Sequence, residues 1–136
     1  MLKTIVSIIL AACILSCATF KFSDKNVNLV MAKNVEKNKG ASDIVNTFTF
    51  EGIIYVYATF TWDDVYQKAG NHKIETKWYH GDKLVSIDEQ QIEFGRPPHY
   101  VWFSNRGTTL GAGPAKVEIY ADGDFLTSTR FEVIPK

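Results

Sequence analysis

From Phe48 onward the chain is ruled by alternation. In "FTFEGIIYVYATFTW", residues 48–62, Ile54, Val56, Ala58, Phe60 and Trp62 recur with period two, and Tyr55, Tyr57, Thr59 and Thr61 fill the positions between. That period sends alternate side chains to opposite faces of a strand, and β-branched and aromatic residues favour sheet over helix. The first set is a core face. The Tyr/Thr set is a half-exposed surface or a second buried layer. In "HKIETKWYHGDKLVSID", Ile74, Thr76 and Trp78 likewise oppose Lys73, Glu75, Lys77 and Tyr79. Gly81-Asp82 reads there as a type II′ hairpin turn, with Gly supplying the positive φ. The last hairpin, "AKVEIYADGDFLTSTRFEVI", turns at Asp122-Gly123, a preferred type I′ pair. Val117, Ile119, Phe131 and Val133 point inward; Lys116, Glu118, Tyr120, Ser128, Arg130 and Glu132 point outward.

Elsewhere the signals are weaker. "VNLVMAKNV" (27–35) reads as a strand, "EKNKGASD" as a solvated loop and "DDVYQKAGN" as a second loop. Short strands fit "QQIEF" and "HYVWFSN", separated by "GRPP", because proline cannot continue a ladder. "RGTTLGAGP" is a glycine-rich turn. About seven short strands with no sustained helical period predict an antiparallel β-sandwich rather than a βαβ fold. "KWYHGDKLV", a Trp on a central strand followed by a tight hairpin, resembles the C–C′ region of immunoglobulin-like domains. "GAGPAKVEIYADGDFLTSTRFEV" resembles their F–G hairpin. The resemblance spans most of residues 27–134, lacks the cysteine pair of antibody domains, and implies an all-β, immunoglobulin-like sandwich over residues 27–136.

The first 17 residues follow another pattern. Lys3 is their single charge, and "IVSIILAACIL" (5–15) is almost wholly apolar. This is a signal-peptide h-region, too short for a transmembrane helix of about 20 residues. Cys13 and Cys17 are the two cysteines of the chain. A bridge between them would staple nothing in the domain. Each ends an aliphatic and small-residue run that resembles the lipobox of bacterial lipoproteins: "Leu10-Ala11-Ala12-Cys13" fits the consensus better, and "Ile14-Leu15-Ser16-Cys17" leaves a fuller h-region and a polar mature start. Cys17 is therefore the expected lipidation site and Cys13 the alternative. The resemblance implies a signal peptide over residues 1–16, acyl chains such as palmitate on Cys17, and a polar tether over residues 17–26. Ala18 departs from the aspartate of inner-membrane retention, which points to a lipid-anchored domain at the outer membrane, facing the periplasm or the cell surface. Ordinary secretion of a soluble product is the alternative.

Fifteen basic and fifteen acidic residues leave no net field for nucleic acid. His72 and His80 open and close one strand, about 27 Å apart at strand rise, so they cannot share a metal, and solvated strand ends are expected for the histidines. Asp63-Asp64 reads as a loop tip. No phosphate loop, nucleophile elbow or dinucleotide fingerprint is present, so neither enzyme activity nor a cofactor is expected. A hydrolase using Asp63, Asp64 or His99 is the remote alternative. The expected role is binding, as an accessory or scaffold subunit of an envelope assembly. Its partner would be another envelope protein, met by an outer face carrying Lys77, Tyr79, Glu118, Tyr120 and Arg130. The alternative is a carbohydrate or peptidoglycan module that uses Trp102 and neighbouring aromatics to stack sugar rings.

Overall fold

The structure, a computed structural model, describes residues 20–135; Cys13, Cys17 and the leader lie outside the described residues. The described chain forms nine strands: β1 (Val27–Glu36), β2 (Gly40–Ile44), β3 (Thr47–Thr49), β4 (Ile53–Phe60), β5 (Gly70–His80), β6 (Lys83–Phe94), β7 (His99–Arg106), β8 (Gly113–Ala121) and β9 (Asp124–Ile134). A single helical turn, α1 (Gly107–Leu110), links β7 to β8, and a 3-10 turn (Asp24–Asn26) precedes β1.

The strands make two sheets, ordered β2-β1-β4-β7 and β3-β9-β8-β5-β6. All pairs are antiparallel except β3 with β9. Sequential hairpins β5–β6 and β8–β9 meet through the β5–β8 pair, which puts the two hairpins likened to C–C′ and F–G into one sheet. The fold is an immunoglobulin-like β-sandwich.

Alternation places the core as the sequence requires. Ile54, Val56, Ala58 and Phe60 of β4 face Ile74 and Trp78 of β5, Val117 and Ile119 of β8, and Phe131 and Val133 of β9 across the sandwich. Tyr55, Tyr57 and Thr59 are half-buried on the outer face. Trp78, fully buried, donates its indole N–H to the Thr76 hydroxyl at 3.0 Å, so neither polar group is left without a partner in the core. Gly81 has φ +56°, and Asp122 and Gly123 have φ +53° and +88°, in keeping with the two predicted turns.

Four local expectations are corrected. "EKNKGASD" is a turn followed by β2, which pairs with β1 from Ala32↔Ile44 to Glu36↔Gly40. "QQIEF" is the far half of one 12-residue strand, β6, held in register along the whole of β5. The segment read as a polar tether contributes Phe22 to the core, where its ring meets Phe60, Trp62, His72 and Phe94 at centroid distances of 4.7–5.8 Å. Phe20 packs on Trp62 at 5.6 Å, so the packed domain includes Phe20 rather than starting at Val27. Finally, His72 is not solvated. It is 1 % exposed, with Nδ1 2.5 Å from Asp122 Oδ2 and Nε2 2.8 Å from the Ala69 carbonyl oxygen. β5 starts inside the sandwich, and the buried ring satisfies both nitrogens by tying that start to the β8–β9 turn.

Candidate functional site

The outer face of the five-stranded sheet gathers most of the residues singled out from sequence. Cross-strand register sets Lys77 beside Glu118, Tyr79 beside Lys116, and Glu75 beside Tyr120. Lys116, which the sequence reading placed outward but not in the site, completes the cluster. The Tyr120 hydroxyl donates to Glu118 Oε1 at 2.8 Å, and Lys116 Nζ lies 3.5 Å from Glu118 Oε2. Lys77 Nζ sits 4.4 Å over the Tyr120 ring and Lys116 Nζ 4.5 Å over the Tyr79 ring, both cation–π distances. Burial, then the Glu118 carboxylate, push the Tyr120 phenol up to about 12. The same carboxylate raises Tyr79 through a hydrogen bond, with burial adding to it. Burial would raise Glu118 itself, but the two tyrosines and Lys116 outweigh that and hold its pKa below the usual value. The result is a mixed-charge patch whose side chains are held to one another by hydrogen-bond, ion-pair and cation–π contacts.

Arg130 lies beside Lys116 on β9, exposed at the margin of this cluster. Three exposed apolar residues flank the patch, and sequence reading missed them. Leu84 and Ile87 of β6 lie opposite Tyr79 and Lys77, and Phe125 of β9 lies opposite Tyr120 with its ring 5.7 Å away. Ile87 interrupts the polar spacing of its strand, which is the signal that could have found it.

Trp102 belongs to the other sheet. On β7 Val101 and Phe103 are buried, so Tyr100 and Trp102 face outward. Tyr57 of β4 stands across from Trp102 and stacks on both rings, 5.7 Å from Tyr100 and 6.0 Å from Trp102. The β1–β2 turn closes over this stripe. Gly40 has φ +81°, and a Cβ there would come within 3.1 Å of the Tyr57 hydroxyl, so the close approach and the backbone conformation both ask for glycine. Between turn and stripe runs a cleft of about 620 Å³, lined by residues 36–41, Tyr57, Pro98, His99, Tyr100 and Trp102. His99 is held below the usual imidazole value by burial, with its ring against Phe94 at 4.6 Å.

Asp63 and Asp64 are exposed in the loop after β4, where Asp64 Oδ1 accepts the Tyr66 N–H at 3.0 Å. Among the described residues no group of three or more His, Cys, Asp or Glu could hold a metal ion.

Neither a protein family nor a curated protein matches the sequence. In structure the chain is similar to part of a β-glucosidase from Listeria innocua, with a TM-score of 0.50 at 11% identity, over 79% of this chain and 16% of that one. It is also similar to an immunoglobulin-like protein from Pseudomonas aeruginosa (TM-score 0.47, 7% identity, 79% and 90% of the two chains). The sensor domain of an anti-sigma factor from Pseudobacteroides cellulosolvens is comparable (TM-score 0.45, 13% identity, 82% and 97%). The chain thus spans about a sixth of the glucosidase, and at these identities the likeness is one of fold alone.

Proposed function

We propose that this chain is a lipid-anchored binding subunit of a bacterial cell envelope, held at the outer membrane by acyl chains on Cys17. Its partner is another envelope protein, met by the outer face of the five-stranded sheet. The observation that supports this is the prearranged cluster of Lys77, Tyr79, Lys116, Glu118 and Tyr120 between exposed Leu84 and Ile87 on one side and Phe125 on the other. Two tyrosines set among charges that already satisfy one another, with exposed apolar residues on both flanks, offer mixed contact chemistry and need little side-chain ordering on binding. The test is affinity capture from membranes with the lipidated protein. Partner recovery should fall when Tyr79→Ala and Tyr120→Ala are combined, and unchanged recovery refutes this face. Mass analysis of the mature protein tests the anchor separately, because acyl chains are expected on Cys17.

A second reading, a carbohydrate-binding module, draws on the cleft beneath the β1–β2 turn. Stacked Tyr57, Tyr100 and Trp102 offer apolar ring surface beside the polar turn, which is the chemistry that receives a pyranose. Trp62 and Trp78 are buried, so fluorescence change on titration with chitotetraose would report on Trp102. A flat titration, with Tyr100→Ala no different from wild type, sinks it.

A further inference from the structure

Every described element that approaches the N-terminus lies at one end of the sandwich. Val27 at the start of β1 pairs with Phe60 at the end of β4, and Phe60 pairs with His99 at the start of β7. The loop after β4 is tied to this end by the Trp62 indole N–H, which donates to the Gln67 carbonyl at 2.8 Å, and by Ala69 N–H, which donates to the Gly95 carbonyl at 3.2 Å. Phe20 packs against that same Trp62. From this loop Val65 and Tyr66 project into solvent, 56 % and 76 % exposed, and Tyr66 is the most exposed of the large hydrophobics. The Arg96 guanidinium lies 5.7 Å from the Tyr66 ring centroid.

Ala18 and Thr19 alone stand between Cys17 and the packed Phe20. Three peptide steps span at most about 10 Å even when fully extended. An acylated Cys17 sits at the membrane surface, so Phe20 can be no farther from the headgroups than this reach. A domain on so short a leash cannot hold its N-terminal end in bulk water.

We propose that this end of the sandwich rests on the lipid bilayer, with Val65 and Tyr66 inserted at the headgroup level. The proposal rests on acylation at Cys17. An aliphatic side chain beside a tyrosine with an arginine over its ring suits that depth, where amphipathic aromatic groups are enriched and cationic groups meet phosphates. Lys21, Lys25, Lys68 and Arg96 are offset by Asp24, Asp63, Asp64 and Asp124 at the same end, Asp124 lying 3.9 Å from the Lys21 ammonium. Contact is therefore set by the anchor and the apolar pair rather than by attraction to anionic lipid, and it is insensitive to salt. The two outer sheet faces stand roughly upright from the membrane and stay open to partners.

The test uses the full chain, processed and lipidated in a bacterial host and reconstituted in phosphatidylethanolamine/phosphatidylglycerol vesicles. The thioether of an acylated Cys17 leaves no free thiol in the mature chain, so Tyr66→Cys and, at the opposite end, Asp82→Cys each accept a single environment-sensitive fluorophore. The probe at 66 should be quenched by spin-labelled lipid and show at least about threefold weaker iodide quenching than the probe at 82, equally at low and high salt. Equal iodide quenching at both positions, in protein whose mass shows acylated Cys17, overturns the docking while leaving the anchor standing. Protein without acyl chains, or with them on Cys13, whose reach to Phe20 is about 25 Å, overturns the proposal at its premise. Val65→Cys repeats the measurement if the label at 66 disturbs the loop.

Discussion

The pairing of buried His72 with Asp122 at the β8–β9 turn offers the sharpest test of how this fold is held together. Asp122 provides two acceptors. Oδ2 faces His72 Nδ1, and Oδ1 accepts the Lys73 N–H at 3.0 Å, while the Asp122 N–H donates to the Lys73 carbonyl at 2.8 Å. Asparagine keeps the shape and tolerates the positive φ of +53° at this position, but it offers one acceptor and no charge. A hydrogen bond to a charged group contributes about 1.5–3 kcal/mol. The Asp122 side chain is 51 % exposed, so solvent screening reduces that, and Asp122→Asn should cost about 1 kcal/mol. Asp122→Ala loses both acceptors, leaves a buried imidazole half-satisfied and puts a Cβ-bearing residue without polar compensation at positive φ. It should cost about 3 kcal/mol, or on the order of 10 °C in Tm for a domain of this size. Acid dependence separates charge from shape. Burial would raise the Asp122 carboxyl, but the hydrogen bonds from His72 and the Lys73 N–H, with their positive charges, outweigh it and hold its pKa below the ordinary 3.8. A depressed carboxylate contributes stability that is present above its unfolded pKa and lost as pH falls through the folded one. The gap between wild type and Asp122→Asn should therefore be full at pH 5–7 and shrink below about pH 4. Urea denaturation followed by tryptophan fluorescence at pH 3–7 measures it. Equal stability of Asp122→Asn and wild type at pH 7, with parallel acid profiles, would refute the account.

Four further outcomes follow from named contacts. Phe22→Ala removes a ring that touches five aromatic side chains and should destabilise by about 3–4 kcal/mol by urea denaturation, whereas a residue in a mere tether would cost almost nothing. Gly107→Ala drives a Cβ onto the carbonyl oxygens of Phe50 and Thr49, backbone atoms that cannot swing away, and should cost about 3 kcal/mol, read as a lowered thermal midpoint. Tyr120, raised to about 12, favours folding in its neutral form, so stability should decline as pH rises from the ordinary phenol value of 10.0 through 12. Glu118→Gln should bring the last-titrating phenol down in an ultraviolet titration, though burial keeps it above 10.0; an unmoved curve would show that the carboxylate is not the cause.

The strand pattern was legible wherever one face is core and the other is not. Ile54 to Phe60 and Ile74 to Trp78 alternate cleanly because each strand is covered on one side. Asp122-Gly123 and Gly81-Asp82 were legible because a two-residue hairpin needs positive φ that few residues tolerate. β2 was not legible: its sequence, "GASDI", carries no apolar face, and it exists only as a partner to the edge of β1. The length of β6 was hidden because its outward residues mix Ile87 with charges, which breaks the period although the backbone ladder runs on. Of the candidate binding residues, Lys77, Tyr79, Glu118 and Tyr120 could be placed on one face by parity along two strands. Their partnership with Lys116, and the separation of Trp102 onto the opposite sheet, could not.

The sequence alone determined the periods, the turns and the charge balance, because these depend on neighbours a few residues apart. From them came an all-β sandwich, an apolar N-terminal stretch carrying two cysteines, and the faces on which polar residues must lie. Tertiary structure decided what happens across large sequence separations. His72 becomes a buried clamp because Asp122, fifty residues away, closes over it. Phe22 leaves the supposed tether because Phe60, His72 and Phe94 leave an apolar gap at the end of the sandwich for its ring. Tyr57 and Trp102 form a stripe because β4 and β7 pair in register, and the β1–β2 turn makes it a cleft. These contacts are made by packing between sheets and between distant strands, and no local period encodes them.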